Sequence, residues 1–200
     1  VFGGVLYLST DMLALVLAAA MLIAGLEWSR LAKIETAGGR LLYLLLLAAG
    51  LGGTALVLAQ YPQWIYWLAM GAALWWLLVI LGLLRYRPGH SKVWGRPTKA
   101  LFGGLVLIPA WASVVALHGV DPGGPQLVIS LLILVSVADS GAYFAGRHWG
   151  RVKLAPAISP GKTREGVYGA LAGSVIFALL LAWFRPETGH PALLVLLCLA

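Results

Sequence analysis

Six stretches of this chain are apolar over a length that suits a lipid bilayer, and this constrains its fold more than any other feature. They run over roughly residues 5–26, 41–59, 65–84, 101–117, 126–144 and 167–184, and a seventh begins near residue 192 and stops short. About 20 mostly apolar residues are needed to span the hydrocarbon as a helix. In lipid such segments must be helical, because an open strand leaves backbone N–H and C=O groups unpaired. Only 10% of residues are charged, against about 25% in soluble domains, and the mean hydropathy is +0.92. The expected fold is all-α: a polytopic transmembrane helical bundle with six full spans plus a truncated seventh, in a single integral-membrane domain over residues 1–200. With Val1 at the start and the half-span Leu193 to Ala200 at the end, the expectation is an incomplete, internal piece of a longer protein. The opening run is no signal peptide: it lacks a basic n-region, and Glu27-Trp28-Ser29-Arg30 is no small-residue cleavage site.

The loops between the runs orient the bundle. Their Lys and Arg counts, for loops 27–40, 60–64, 85–100, 118–125, 145–166 and 185–191, are 3, 0, 5, 0, 5 and 1. That alternation is what the positive-inside rule produces, with loops 27–40, 85–100 and 145–166 on the cytoplasmic side. The net charge of +7 therefore reads as topology and attraction to anionic lipid heads, not as nucleic-acid binding. Trp28, Trp64, Trp67, Trp94, Trp149 and Trp183 fall near run ends, as an aromatic belt does. One cysteine, Cys198, excludes an internal disulfide, and with scattered His90, His118, His148 and His190 it makes no zinc pattern.

Residues 139–166 are the one long polar stretch, rich in glycine, proline, cations and hydroxyls. Asp139 ends an apolar run, Leu131 to Ala138. An acid there costs roughly 2.5–3.5 kcal/mol on insertion scales and is retained for a task. It suits a divalent metal, since Mg²⁺ takes carboxylate and phosphate oxygens together; the structural alternative is a hydrogen bond to a neighbouring helix or to Ser136. Gly141 and Gly146 flank Tyr143, and serve either close ligand approach or close helix packing. Ser159-Pro160-Gly161-Lys162-Thr163 resembles the end of a phosphate-binding P-loop, but Pro156 stands where that pattern needs glycine. A Pro160-Gly161 turn would still expose backbone amides beside the Lys162 charge and the Ser159 and Thr163 hydroxyls. Thr163 is also placed to cap the following helix with Gly166 three residues on, and that helix N-terminus favours anions. Glu165 can hold Lys162 or Arg147, bind a metal, or complement the helix dipole. Arg147, Arg151 and Lys153 serve either the site or topology. Gly169 and Gly173 form a small-xxx-small packing pattern.

The run D-S-G-A-Y-x-x-G-R-x-x-G-R-x-K-L-A-P-x-I-S-P-G-K-T-x-E-G, from Asp139 to Gly166, is similar to the CTP-binding region of the bacterial CDP-diacylglycerol synthase (phosphatidate cytidylyltransferase) family. Glu27-Trp28, Trp75-Trp76, the basic loop Arg85 to Lys99, and Gly103-Gly104 to Pro109 appear in the order that family shows, so the resemblance covers nearly the whole chain. It departs from the family in two ways. The family's later acidic signature is absent from these 200 residues, as is its first helix.

The resemblance implies transfer of CMP from CTP to phosphatidic acid, giving CDP-diacylglycerol and pyrophosphate in phospholipid biosynthesis. It implies catalytic roles for Asp139, Lys162 and Glu165, with Asp139 also a ligand of a divalent metal, Mg²⁺. It implies substrate binding by Ser140, Tyr143, Arg147, Lys153, Ser159, Gly161 and Thr163. CTP, phosphatidic acid and membrane lipids are the expected partners, without nucleic acid, and a homodimer is a candidate assembly. The expected location is the bacterial inner membrane, multi-pass, with the site facing the cytoplasm. A CTP-dependent lipid kinase is the nearest alternative. A transporter with a cytoplasmic anion site is more remote, because no paired broken helices or inverted repeat is visible. A CDP-alcohol phosphotransferase is disfavoured, since its D-G-x-x-A-R core is missing.

Overall fold

The structure is a computed structural model that describes residues 7–85, 95–156 and 158–184. The run from residue 192, and Arg87, Lys92, Trp94 and Arg185, lie outside the described residues. Six helices are long and apolar enough to cross a membrane: α1 (Thr10–Leu31), α2 (Ala37–Gln60), α3 (Trp64–Leu84), α4 (Arg96–His118), α5 (Gly124–Trp149) and α6 (Arg164–Phe184). The protein is thus an all-α, multi-pass membrane protein in its spans. Between α5 and α6 stands a small antiparallel hairpin, β1 (Lys153–Ala155) and β2 (Ser159–Thr163).

The helices outrun the apolar stretches. Glu27 to Arg30, expected in a loop, form the last turns of α1, and the expected loop 27–40 contracts to five residues between Leu31 and Ala37. Hydropathy marks the hydrocarbon boundary, whereas a helix ends where its terminal backbone groups find other partners. Ser9 and Thr36 supply those partners at two N-termini, accepting from the amides of Met12 at 3.3 Å and Gly39 at 3.1 Å. At the α1 C-terminus the Lys33 amide donates to Arg30 O and the Ile34 amide to Ser29 O, each at 3.0 Å. This is a Schellman closure, and it holds Lys33 at φ 60° in the left-handed region.

The chain packs as two compact units, residues 1–128 and 129–200. In the first, α1, α2 and α4 pack on one another, and α3 lies against α4. Leu47 and Leu51 of α2 and Trp111 and Ala112 of α4 form its buried centre. Three side-chain bonds tie α1 to the antiparallel α4: Trp28 Nε1 to Lys99 O at 2.8 Å, Trp111 Nε1 to Ala14 O at 2.9 Å, and Thr10 Oγ1 with His118 Nδ1 at 3.0 Å. Each gives a polar group in an apolar layer the partner that burial demands. Trp28 is therefore more than a belt residue.

In the second unit, α5 and α6 cross antiparallel at bare backbone. A Cβ at Gly141 would lie 2.5 Å from Gly169 O, and one at Gly169 would strike Gly141 O. Gly141, whose role the sequence left open, is a packing residue. Further along the same crossing Gly173 meets Val137, and Gly166 meets Ala142 O. The expectation that Gly169 and Gly173 pack closely holds.

Candidate active site

The polar stretch does not fold as a loop around a Pro160-Gly161 turn. Lys153 pairs with Thr163 and Ala155 with Ser159, so the chain reverses between Ala155 and Ser159, where the Ile158 amide donates to Ala155 O at 3.0 Å. Between those two pairings β2 spends more residues than β1, and the ladder shifts register. The excess lies at Pro160, Gly161 and Lys162. Proline has no N–H to give a ladder, and strands tolerate it at bulges. What reads as a turn is therefore a bulged strand. Gly161 and Lys162 are exposed on it, and a Cβ at Gly161 would meet nothing within 4 Å.

The base of the hairpin is locked from both sides. Thr163 is 6% exposed, and its Oγ1 accepts from the Gly166 amide at 3.2 Å, the expected N-cap of α6. The end of α5 closes over it: Cβ atoms at Gly146 and Gly150 would each stand 3.0 Å from Thr163 Oγ1. The Arg164 amide donates to Val152 O at 2.9 Å, and Glu165 accepts from the Val152 amide at 3.2 and 3.3 Å. Two corrections follow. The partner of Glu165 is the Val152 amide, not Lys162 or Arg147. The α6 N-terminus, expected to offer amides to an anion, already has its Arg164 and Gly166 donors occupied within the chain.

Asp139, Ser140, Tyr143 and Arg147 form a second group. They fall at helical spacings that bring them onto one stripe of α5, and all four are exposed. The Arg147 guanidinium donates to Tyr143 Oη and sits 5.8 Å from that ring's centroid. Ser136 donates to Leu132 O at 2.8 Å, so it is not the partner of Asp139. Beside Tyr143 and Arg147, a shallow cavity of about 540 Å³ is completed by Phe144, His148 and Trp149. The sequence reading did not assign those three to the site; the i, i+4 spacing of Phe144 and His148 was the available signal.

Among the described residues Lys153, Ser159, Gly161 and Lys162 stand together on the hairpin, with Thr163 and Glu165 securing its base. The Asp139 stripe stands along the neighbouring helix. No hydrogen bond or ion pair described joins Asp139 to Lys153, Lys162 or Glu165. Nor do the described residues contain a cluster of three His, Cys, Asp or Glu side chains able to hold a metal unaided. An exposed Asp139 does suit Mg²⁺, which often takes one or two carboxylates and completes its shell with water and substrate phosphates.

The profile of the cytidylyltransferase family matches residues 1–200. The phosphatidate cytidylyltransferase of Pseudomonas aeruginosa is 39% identical over 171 residues, covering 85% of this chain and 61% of that protein. The phosphatidate cytidylyltransferase of Haemophilus influenzae is 38% identical over 135 residues, 64% of this chain and 46% of that protein. An uncharacterised Escherichia coli protein, YnbB, is 29% identical over 151 residues, 63% of this chain and 49% of its own length. The chain thus spans about half to three fifths of the length of these relatives. No solved structure matches it. With a profile match across its whole length and a polar hairpin displayed on a helical membrane scaffold, the chain belongs to the cytidylyltransferase family.

Proposed function

We propose that the full-length protein transfers CMP from CTP to phosphatidate, releasing pyrophosphate and forming CDP-diacylglycerol. The observation that carries this reading is the bulged strand Ser159–Thr163, which stands Lys162 and Gly161 in open space on a base fixed by Thr163 and Glu165. A phosphate oxygen of phosphatidate attacks the α-phosphorus of CTP. The bond from that phosphorus to the bridging α–β oxygen breaks, and the electron pair leaves with pyrophosphate. The nucleophile is already anionic, so positioning and charge neutralisation are the main tasks. Lys153 and Lys162 hold phosphate oxygens, and Ser159 donates a hydrogen bond. Arg147, steadied by Tyr143, supplies a further cation. Asp139 is the residue that would hold Mg²⁺, an ion able to neutralise charge on the leaving phosphates. The bacterial relatives support an inner-membrane location, and the alternating cation counts support a cytoplasmic face for this site.

The test uses the full-length protein in vesicles with phosphatidate and CTP labelled at either the α or the γ phosphate. The expected result is α label in the lipid and γ label in pyrophosphate. Label from the γ position in the lipid would make the protein a lipid kinase, and no lipid label from either would remove the reaction.

A further inference from the structure

A groove of about 470 Å³ runs between α2 and α4 in the first unit. Leu42 and Leu46 line it from α2, and Ala100, Leu101, Gly104 and Ile108 from α4. It is open along its side, and Leu42, Leu46 and Leu101 are 59%, 63% and 61% exposed. The stretch from Pro97 to Ile108 rises about 16 Å at roughly 1.5 Å per residue. That matches one leaflet of a hydrocarbon core about 30 Å thick.

The mouth has a different character from the rest. Ile34, Gly39 and Pro97 line it, and α2 and α4 both begin there, so two positive helix ends converge. Lys33 adjoins Ile34, and the Arg40 Nε donates to Ile34 O at 2.8 Å. Arg96 and Lys99 flank Pro97 in the first turn of α4. Among the described residues of this unit, the carboxylate that pairs with these cations is Glu35, 3.4 Å from Arg96; Glu27 is engaged by Arg30 at 2.9 Å. The Schellman closure keeps a lysine at φ 60°, where glycine fits more easily, so a cation stands at this mouth despite the strain.

We propose that this groove holds an acyl chain of a phosphate-bearing glycerolipid, with the lipid phosphate among Lys33, Arg40, Arg96 and Lys99. An apolar helix of this chain or of a second copy would fill the hydrocarbon half of the groove but would bring no anion to its mouth. A phospholipid supplies both. The inference stands on the first unit alone and holds whether or not CMP transfer is the reaction.

The experiment places full-length protein in phosphatidylcholine nanodiscs without CTP. A minor fraction of lipid carries a photoreactive diazirine on its acyl chain, as phosphatidate, phosphatidylglycerol or phosphatidylcholine, and labelled peptides are mapped by mass spectrometry. Labelling should concentrate at Leu42, Leu46, Leu101 and Ile108. The anionic probes should exceed the choline probe by at least about fivefold, the worth of one basic residue near an anionic surface. Gly104→Phe and Leu101→Trp should each suppress it; Leu101 is exposed, so the second variant does not burden the fold. Arg40→Gln combined with Lys99→Gln should erase the headgroup preference. Phosphatidate labelling above phosphatidylglycerol assigns the groove to that lipid, and equal labelling assigns it to anionic phospholipids at large; either upholds the site. Equal labelling by the choline probe, indifferent to Gly104→Phe and Leu101→Trp, would reduce the groove to ordinary lipid annulus. Cross-linking of Leu46→Cys to a second copy or to another helix of the chain, with no lipid label, would replace the lipid with protein.

Discussion

Lys162 and Glu165 differ by three positions and by almost everything else. Lys162 is exposed on a bulged strand, so its ammonium is available to a ligand. Glu165 spends its carboxylate on the Val152 amide. Lys162→Ala in the full-length protein should therefore cut CMP transfer by on the order of 10²–10³, as loss of one preorganised charge contact does, while membrane insertion and thermal unfolding stay unchanged. Normal turnover by that variant would leave Lys162 as a lipid-surface cation. Glu165→Ala should act through the hairpin: activity falls together with protease resistance at residues 151–164, whereas Glu165→Gln keeps an acceptor oxygen and most of that resistance. If Glu165→Ala loses activity with an intact hairpin, Glu165 touches substrate or metal directly. Asp139→Asn should shift the Mg²⁺ concentration at half-maximal rate upward, and superimposable titrations would take Asp139 out of the site. In the first unit, Tyr43 buries its hydroxyl without a hydrogen-bond partner among the described residues. An unsatisfied buried hydroxyl costs about 1–3 kcal/mol, so Tyr43→Phe should leave the unfolding temperature unchanged or raise it; a marked drop would reveal a partner.

The six spans were legible because lipid permits no other arrangement of an apolar stretch of that length. Their ends were not. Ser9 and Thr36 have the chemistry of N-caps, but the apolar run begins before Ser9 and only several residues inside the helix that Thr36 caps, so neither cap coincides with its edge. The hairpin was hidden for the opposite reason. Pro160-Gly161 is a strong turn signal, and only the pairing of Lys153 with Thr163 converts it into a bulge. The Thr163 cap was readable, since Gly166 three residues on fits the spacing. The closure of Gly146 and Gly150 over Thr163 was not, because it depends on where α5 ends. Small residues at 169 and 173 announced a helix contact, and the structure supplied the other half at Val137 and Gly141. Gly169→Leu should accordingly separate α5 from α6 and abolish activity without touching a polar group. A stable, active Gly169→Leu protein would mean that the two helices do not meet at bare backbone.

Within the first unit of the molecule, Arg30, Lys33, Arg40, Arg96 and Lys99 gather where α1 ends and α2 and α4 begin, and Asp11, Gln63 and Asp121 belong to the other end. Side-specific labelling checks the orientation this implies. In a Cys198→Ser background, Val120→Cys and Ile158→Cys, both exposed, should react with a membrane-impermeant thiol reagent from opposite sides; reaction from one side would invalidate the alternation. The three bonds between α1 and α4 carry a further consequence, for synthesis. Trp28 and Lys99 lie 71 residues apart. At about 5–20 residues per second, the α1 indole precedes its acceptor by roughly 4–14 s. Thr10 waits longer, since His118 follows it by 108 residues. For those seconds the nascent α1 has its cap and its apolar neighbours but none of its bonds to α4, and a ribosome halted before residue 96 leaves it with no means of making them.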